Sequence, residues 1–315
     1  MIADSYLAQR LFRLCACLFI CAISISLAAR ESRAEETTQK SFPTTQAAVS
    51  SLIDAARSND TSALMAIFGP EGKELVSSGD DVADKNGMAS FAKAYDKQHK
   101  LVAAGPGKFI LQVGVSGWPL PIPIVKKDSG WVFDTPAGKE ELLYRRIGQN
   151  ELDAIRVCKA VIQAEEEYAR QGHDGNPPGV YARRLHSDPG KENGLYWEPK
   201  DGESISPAGP LLAEAAEEGY GKAVSRHTPF HGYLYRILTA QGPGAPGGAK
   251  DYTVDGKMTG GVAVLAYPAE YRSSGVMTFI MDLQGPVYQK DLGPETPEKA
   301  RAMTFDPDSS WKKAE

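Results

Sequence analysis

The sequence predicts an α+β protein in two domains, each with helices placed ahead of a small, mainly antiparallel sheet. Three observations lead there. Apolar residues recur at helical spacing and then give way to strand-like runs, and this order occurs twice along the chain. At 315 residues the chain is about two domains long. Its 31 glycines and 21 prolines make it loop-rich without reaching the roughly 25–30% share of low-complexity chains.

Residues 1–34 read as a secretory signal peptide. Arg10 and Arg13 flank the apolar run Leu14 to Ala29, and Ser32 and Ala34 place small residues at −3 and −1 before a mature start at Glu35. A retained anchor helix is the alternative, but the run is shorter than the roughly 20 residues that span a bilayer. A lipidated N-terminus fits less well, because Cys17 and Cys21 both lack a proper apolar box around them. Cleavage removes Arg10, Arg13, Arg30 and Arg33 against Asp4 and Glu31, so the net charge moves from −5 to −7. It also removes Cys15, Cys17 and Cys21 and leaves Cys158 with no partner for an intramolecular disulfide.

Residues 35–42 form a polar lead-in to a first domain at 43–148. Thr45 is placed to cap a helix carrying Ala48, Val49, Leu52, Ile53 and Ala56. Asp60 caps a second helix with Leu64, Ile67 and Phe68, closed by Gly69-Pro70. A third helix runs from Asp80 or Asp81 to about His99. Lys108 to Val115 reads as a strand. Trp118 to Val125 has prolines at alternate positions, which confines it to a sheet edge or an extended segment. The turn at 127–130 returns the chain through Trp131 to Asp134 as a hairpin partner.

A boundary is expected near Gly148, with Asn150 capping the helix of a second domain at 149–311. That helix runs from Glu151 to about Gln171, its apolar face formed by Leu152, Ile155, Cys158, Val161, Ile162 and Tyr168. Glu165, Glu166 and Glu167 fall mainly on its wet side. Residues 172–210 are turn-rich, and Pro210 to Tyr220 suggests a further helix. Strand-like runs follow at 233–239, 261–267 and 276–283, then Pro286 to Tyr288, and a tail helix at 294–303.

Several stretches resemble one family of uncharacterised exported bacterial proteins, DUF2950. They include Ser78-Gly79-Asp80, Trp118 to Pro123, Trp131 to Thr135, Arg145 to Leu152 and His231-Gly232-Tyr233 with 238–242. Tyr267 to Tyr271, Gly275 to Phe279 and Tyr288 to Gly293 complete the set, so the resemblance spans about residues 43–311. It implies export in a Gram-negative-type bacterium and implies no activity. More faintly, 43–148 is similar to NTF2-like cone-shaped domains and 149–311 to the soluble part of pilin-like proteins. The apolar segment that polymerises pilins lies more than a hundred residues upstream of the helix at 151, so only the fold analogy carries over.

No motif assembles a catalytic, cofactor or metal set, and no catalytic, cofactor-binding or metal residue is assigned. His227 and His231 are four apart, but Pro229 and Gly232 deny them a helix and no third ligand has a matching spacing. Asp80 to Gly87 lacks carboxylates at the outer positions of a calcium loop, which leaves a helix-capping turn. Gly242 to Lys250 lacks the Lys and Ser/Thr of a phosphate loop. Cys158, with His173 or His186 as a base, would make a nucleophile pair, yet it stands mid-stripe where a small apolar residue is wanted. The glutamates at 165–167 point in different directions and read as a solvated face rather than a glycosidase pair. Arg145 and Arg146 read as pinning the two domains together, with anion binding as the alternative.

Net charge and pI argue against a nucleic-acid partner. The expected function is a non-catalytic binding or envelope-assembly module whose partner is an envelope protein or a small ligand, with Trp118 and Tyr196-Trp197 as contact residues. The competing expectation is a periplasmic hydrolase or isomerase with its site in the first domain. A deep pocket at 43–148, lined by a carboxylate or histidine of perturbed pKa, would discriminate the two.

Overall fold

The computed structural model describes residues 39–198, 205–220 and 228–314. The predicted signal peptide, most of the lead-in and His227 lie outside the described residues.

Helix α1 (Thr45–Ser58) begins one residue earlier than expected, because the Thr44 hydroxyl accepts the Ala47 N–H at 3.1 Å while Thr45 is buried. Asp60 starts α2 (Thr61–Phe68) through the Ala63 N–H at 2.8 Å, and Gly69 ends it. A short 3-10 turn and α3 (Lys73–Val76) lead to α4 (Asp81–Lys97), capped by Asp80. The helices precede an antiparallel sheet of β1 (His99–Ala103), β2 (Lys108–Val113), β3 (Trp118–Pro119), β4 (Ile124–Lys127) and β5 (Gly130–Phe133). Its order is β1-β2-β4-β5, with β3 paired to β2. Strand β1 was not expected, since Leu101-Val102 is too short an apolar run to show a period. Pairing along the whole of β2 supplies what its own sequence lacks. The end of the lead-in is not loose: Phe42 bridges Trp131, and the Gln39 amide donates to Ile67 O at 2.9 Å and Phe133 O at 2.6 Å.

Helix α5 (Thr135–Gln171) has 37 residues and corrects the expected helix start at Glu151. Gly148 and Asn150 lie in its interior, so there is neither a linker nor a helix cap at that point. One glycine costs a helix about 1 kcal/mol; packing on both sides outweighs that. The early part of α5 meets the first core through Leu142, and Ala154 to Tyr168 belong to the second. The first core is built on Ile53, Ile67, Leu111, Ile122, Ile124 and Phe133.

After α6 (Gly209–Glu217) come β6 (Tyr233–Leu238), the two-stranded ribbons β7/β8 (Ala240–Gln241, Lys250–Asp251) and β9/β10 (Thr253–Val254, Lys257–Met258), then β11 (Ala263–Pro268). Strands β12 (Met277–Asp282) and β13 (Tyr288–Asp291), helix α7 (Thr296–Ala302) and β14 (Lys312–Lys313) complete the chain. The second sheet has the order β14-β13-β12-β11-β6, all antiparallel. Residues 263–266 on β11 are buried on both faces, which explains a continuous apolar run in place of an alternating one. The molecule is thus α+β, and Gln39–Glu315 forms one compact unit.

Candidate functional site

Helices α1, α2, α4 and α5 and the β3 edge enclose a cavity of about 520 Å³. Its walls are largely apolar, with Leu52, Leu64, Phe68, Met88, Phe91 and Leu120 among them. Polar groups also line it, Gln149 and Asn150 among them, and Ser78, Asp84 and Arg146 lie together on one side. Gly87, Arg145 and Gln149 are solvent-exposed and mark the mouth. The Arg145 guanidinium lies 5.2 Å from the Trp118 ring centre and pairs with Glu141 at 2.8 Å. Such a vessel has the size and lining of a small-molecule site.

Asp84 is held from its own turn. Its Oδ2 accepts the Ser78 N–H and its Oδ1 the Ser78 hydroxyl, both at 2.8 Å. Burial pushes its carboxyl above the ordinary range, against these two bonds and the charge of Arg146. Arg146 donates to Glu74 O and Leu75 O, each at 2.6 Å. Burial lowers its pKa, opposed by Asp84 and Glu270. A second, more polar cavity of about 550 Å³ shares Val76, Asp84 and Met88 as its wall and is further lined by Asp81, Lys85, Asn86 and Glu218.

Beside the cavity, the Ser78-Gly79-Asp80 turn docks into the second half of the chain. Asp80 Oδ1 caps Ala83, while Oδ2 accepts both the Tyr220 hydroxyl and the Gly232 N–H at 2.8 Å. Asn150 donates to Ser274 O at 2.8 Å, and Glu151 Oε1 accepts the Val276 and Met277 N–H groups at 3.0 Å. Gly232 stands at φ 73°, and a Cβ there would lie 2.5 Å from the Asn150 amide nitrogen. A Cβ on Gly79 would sit 2.8 Å from Glu270 Cγ. Both glycines are therefore required by close approach and by a left-handed backbone. Four segments of the family resemblance, Ser78-Gly79-Asp80, Arg145 to Leu152, His231-Gly232-Tyr233 and Gly275 to Phe279, meet at this junction.

The sequence candidates distribute as follows. His231 sits at φ 52° with its ring 3.4 Å from Glu218 and 3.9 Å from Asp153; its proposed partner His227 is outside the described residues. Among the described residues no group of three or more His, Cys, Asp and Glu is placed to hold a metal. Cys158 is fully buried, and burial pushes its thiol up to about 12. His173 bonds Glu192 at 2.9 Å, and His186 meets the edge of Tyr196, so neither histidine is engaged with Cys158.

Other candidates are corrected or relocated. Glu165 is fully buried, not solvated, because its Oε2 is needed by the Ala182 N–H at 2.9 Å. Trp197 is likewise interior, packed against His173, and offers no contact surface. Asp80 is the expected helix cap, and Gly242 to Lys250 joins β7 to β8. Arg146 holds the end of α3, whereas Asn150 and Glu151 hold the second half of the chain. The cavity was not legible residue by residue. Its sequence signals were Trp118, read as a contact residue, and Arg145 and Arg146, for which anion binding was the alternative; all three line it.

The family model described as a protein of unknown function (DUF2950) matches residues 39–314. No curated protein and no solved structure matches the chain.

Proposed function

The chain belongs to the DUF2950 family, a premise that assigns no activity, and we propose that it is an exported, non-catalytic binding module. It takes one small, largely apolar molecule into the cavity between α1, α2, α4 and α5. The observation that carries this reading is an open, largely apolar cavity of about 520 Å³ whose carboxyl and amide groups are already committed to structure. Asp84 holds Ser78, Arg146 holds two carbonyl oxygens, and Asn150 holds Ser274. A general base needs a proton acceptor directed at the substrate, and a nucleophile needs a base beside it. Neither pairing occurs on this wall among the described residues.

One observation favours the second reading, a hydrolase or isomerase at the same place: Asp84 is a cavity carboxyl whose pKa burial raises. The export address rests on residues 1–34. No helix among the described residues is long and apolar enough to cross a membrane.

The test uses the neutral fluorescent dye N-phenyl-1-naphthylamine, titrated into the exported chain. Saturable binding of one dye per chain is expected. Gly87 lines the cavity with nothing within 4 Å of a Cβ built on it, so a side chain can leave the backbone there and Gly87→Trp sets a ring at the mouth. That variant is expected to fold normally and to bind the dye about tenfold more weakly, roughly 1.4 kcal/mol. Unchanged binding by Gly87→Trp, or no binding by either form, defeats the proposal. Turnover of an ester or ketone library that Asp84→Asn abolishes would establish the second reading instead. N-terminal sequencing of periplasmic protein is expected to begin at Glu35; a start at Met1 in the membrane fraction contradicts export.

A further inference from the structure

We infer, resting on the binding reading above, that the cavity's ligand is a single-chain amphiphile with a carboxylate head, seated on the guanidinium of Arg146. The walls call for an apolar body, and Arg146 calls for an anion. It is half-buried on the cavity's polar side, and its two hydrogen bonds go to neutral acceptors, Glu74 O and Leu75 O. Asp84 and Glu270 act on it through space without hydrogen-bonding it. A guanidinium carries five N–H donors, so most of its capacity is unspent. A cation removed from water and held by carbonyls alone is costly unless an opposite charge joins it.

Asp84 does not fill that role. Both of its oxygens are occupied by Ser78, and burial favours its protonated form. Arg145, at the mouth, is already paired with Glu141. Glu270 is exposed and makes no hydrogen bond to Arg146, so the charge on this wall without a directly bonded anion is that of Arg146. Its planar fork matches a carboxylate in two parallel hydrogen bonds. The apolar chain then lies along Leu64, Phe68, Met88 and Leu120, away from the polar side.

Calorimetric titration of the full exported chain with decanoate, decanol and decyltrimethylammonium tests the head group at constant chain length. Decanoate is expected to bind at least about tenfold more tightly than decanol, with the ammonium weakest. Arg146→Gln should reduce decanoate to the level of decanol and leave decanol unchanged. Arg146→Lys, which keeps the charge, should restore part of the preference. If Arg146→Gln does not fold, the three ligands on the unaltered protein decide the matter. Equal binding of all three, or tightest binding of the ammonium, overturns the inference. Binding of none overturns it too. Retained binding of the neutral dye then confines the failure to the ligand class, and loss of the dye as well extends it to the proposed function.

Discussion

Replacing Glu165 by glutamine should stabilise the protein, and by an amount that grows with pH. Glu165 is fully buried on α5, with Oε2 accepting the Ala182 N–H at 2.9 Å and Oε1 without a partner. Burial pushes its pKa well above the ordinary 4.5, outweighing the bond from Ala182. Above pH 4.5 the unfolded chain releases this proton while the folded chain keeps it. Stability attached to the group is therefore full below the unfolded pKa. It declines as pH rises towards the folded one. The slope for one proton is about 1.4 kcal/mol per pH unit. Glutamine has the same shape, keeps an acceptor for Ala182 and does not titrate. The variant should match the parent near pH 4.5 and exceed it by roughly 3 kcal/mol two units higher, as long as the folded carboxyl stays protonated. Urea unfolding at pH 4.5, 5.5 and 6.5, compared at equal m-values, reads the difference. Parallel pH profiles for the two proteins would refute the reasoning. They would mean that Glu165 is ionised in the fold or titrates as it does unfolded.

Three further outcomes follow from the same structure. Gly148→Ala should raise stability by about 1 kcal/mol, because Gly148 is an exposed residue inside α5 with nothing within 4 Å of a Cβ there; no change in denaturant midpoint would point back to a hinge. Asp80→Ala removes a helix cap and strands the Tyr220 hydroxyl and Gly232 N–H, so a loss of about 3–5 kcal/mol is expected, whereas a loss below 1 kcal/mol in urea unfolding contradicts the junction. Cys158 should resist thiol reagents in the folded state and react only as the protein unfolds; labelling at the rate of a free peptide would show it exposed, and Cys158→Ala should cost on the order of 1 kcal/mol.

Local chemistry was legible wherever the residue itself does the work. Asp60 and Asp80 cap helices because a short carboxylate satisfies an amide left free by the helix geometry, whatever the rest of the chain does. Cys158 is buried because it shares an apolar stripe with Val161 and Ile162. Prolines 119, 121 and 123 keep their segment at the margin of a sheet because they lack a donor. By itself the sequence thus determined the α+β class, most helices and strands, and the family. Tertiary structure decided what depends on partners far away in the chain. Glu165 looks like a solvated glutamate until the Ala182 N–H needs an acceptor, and Asn150 looks like a cap until Ser274 takes its amide. Helix α5 runs through Gly148 because two cores pack along it, and packing energy gathered over many residues exceeds one residue's propensity. The cavity beside Arg146 has the same origin. Helices α1, α2, α4 and α5 each contribute only part of its wall, and no segment of the sequence carries the pattern of the whole.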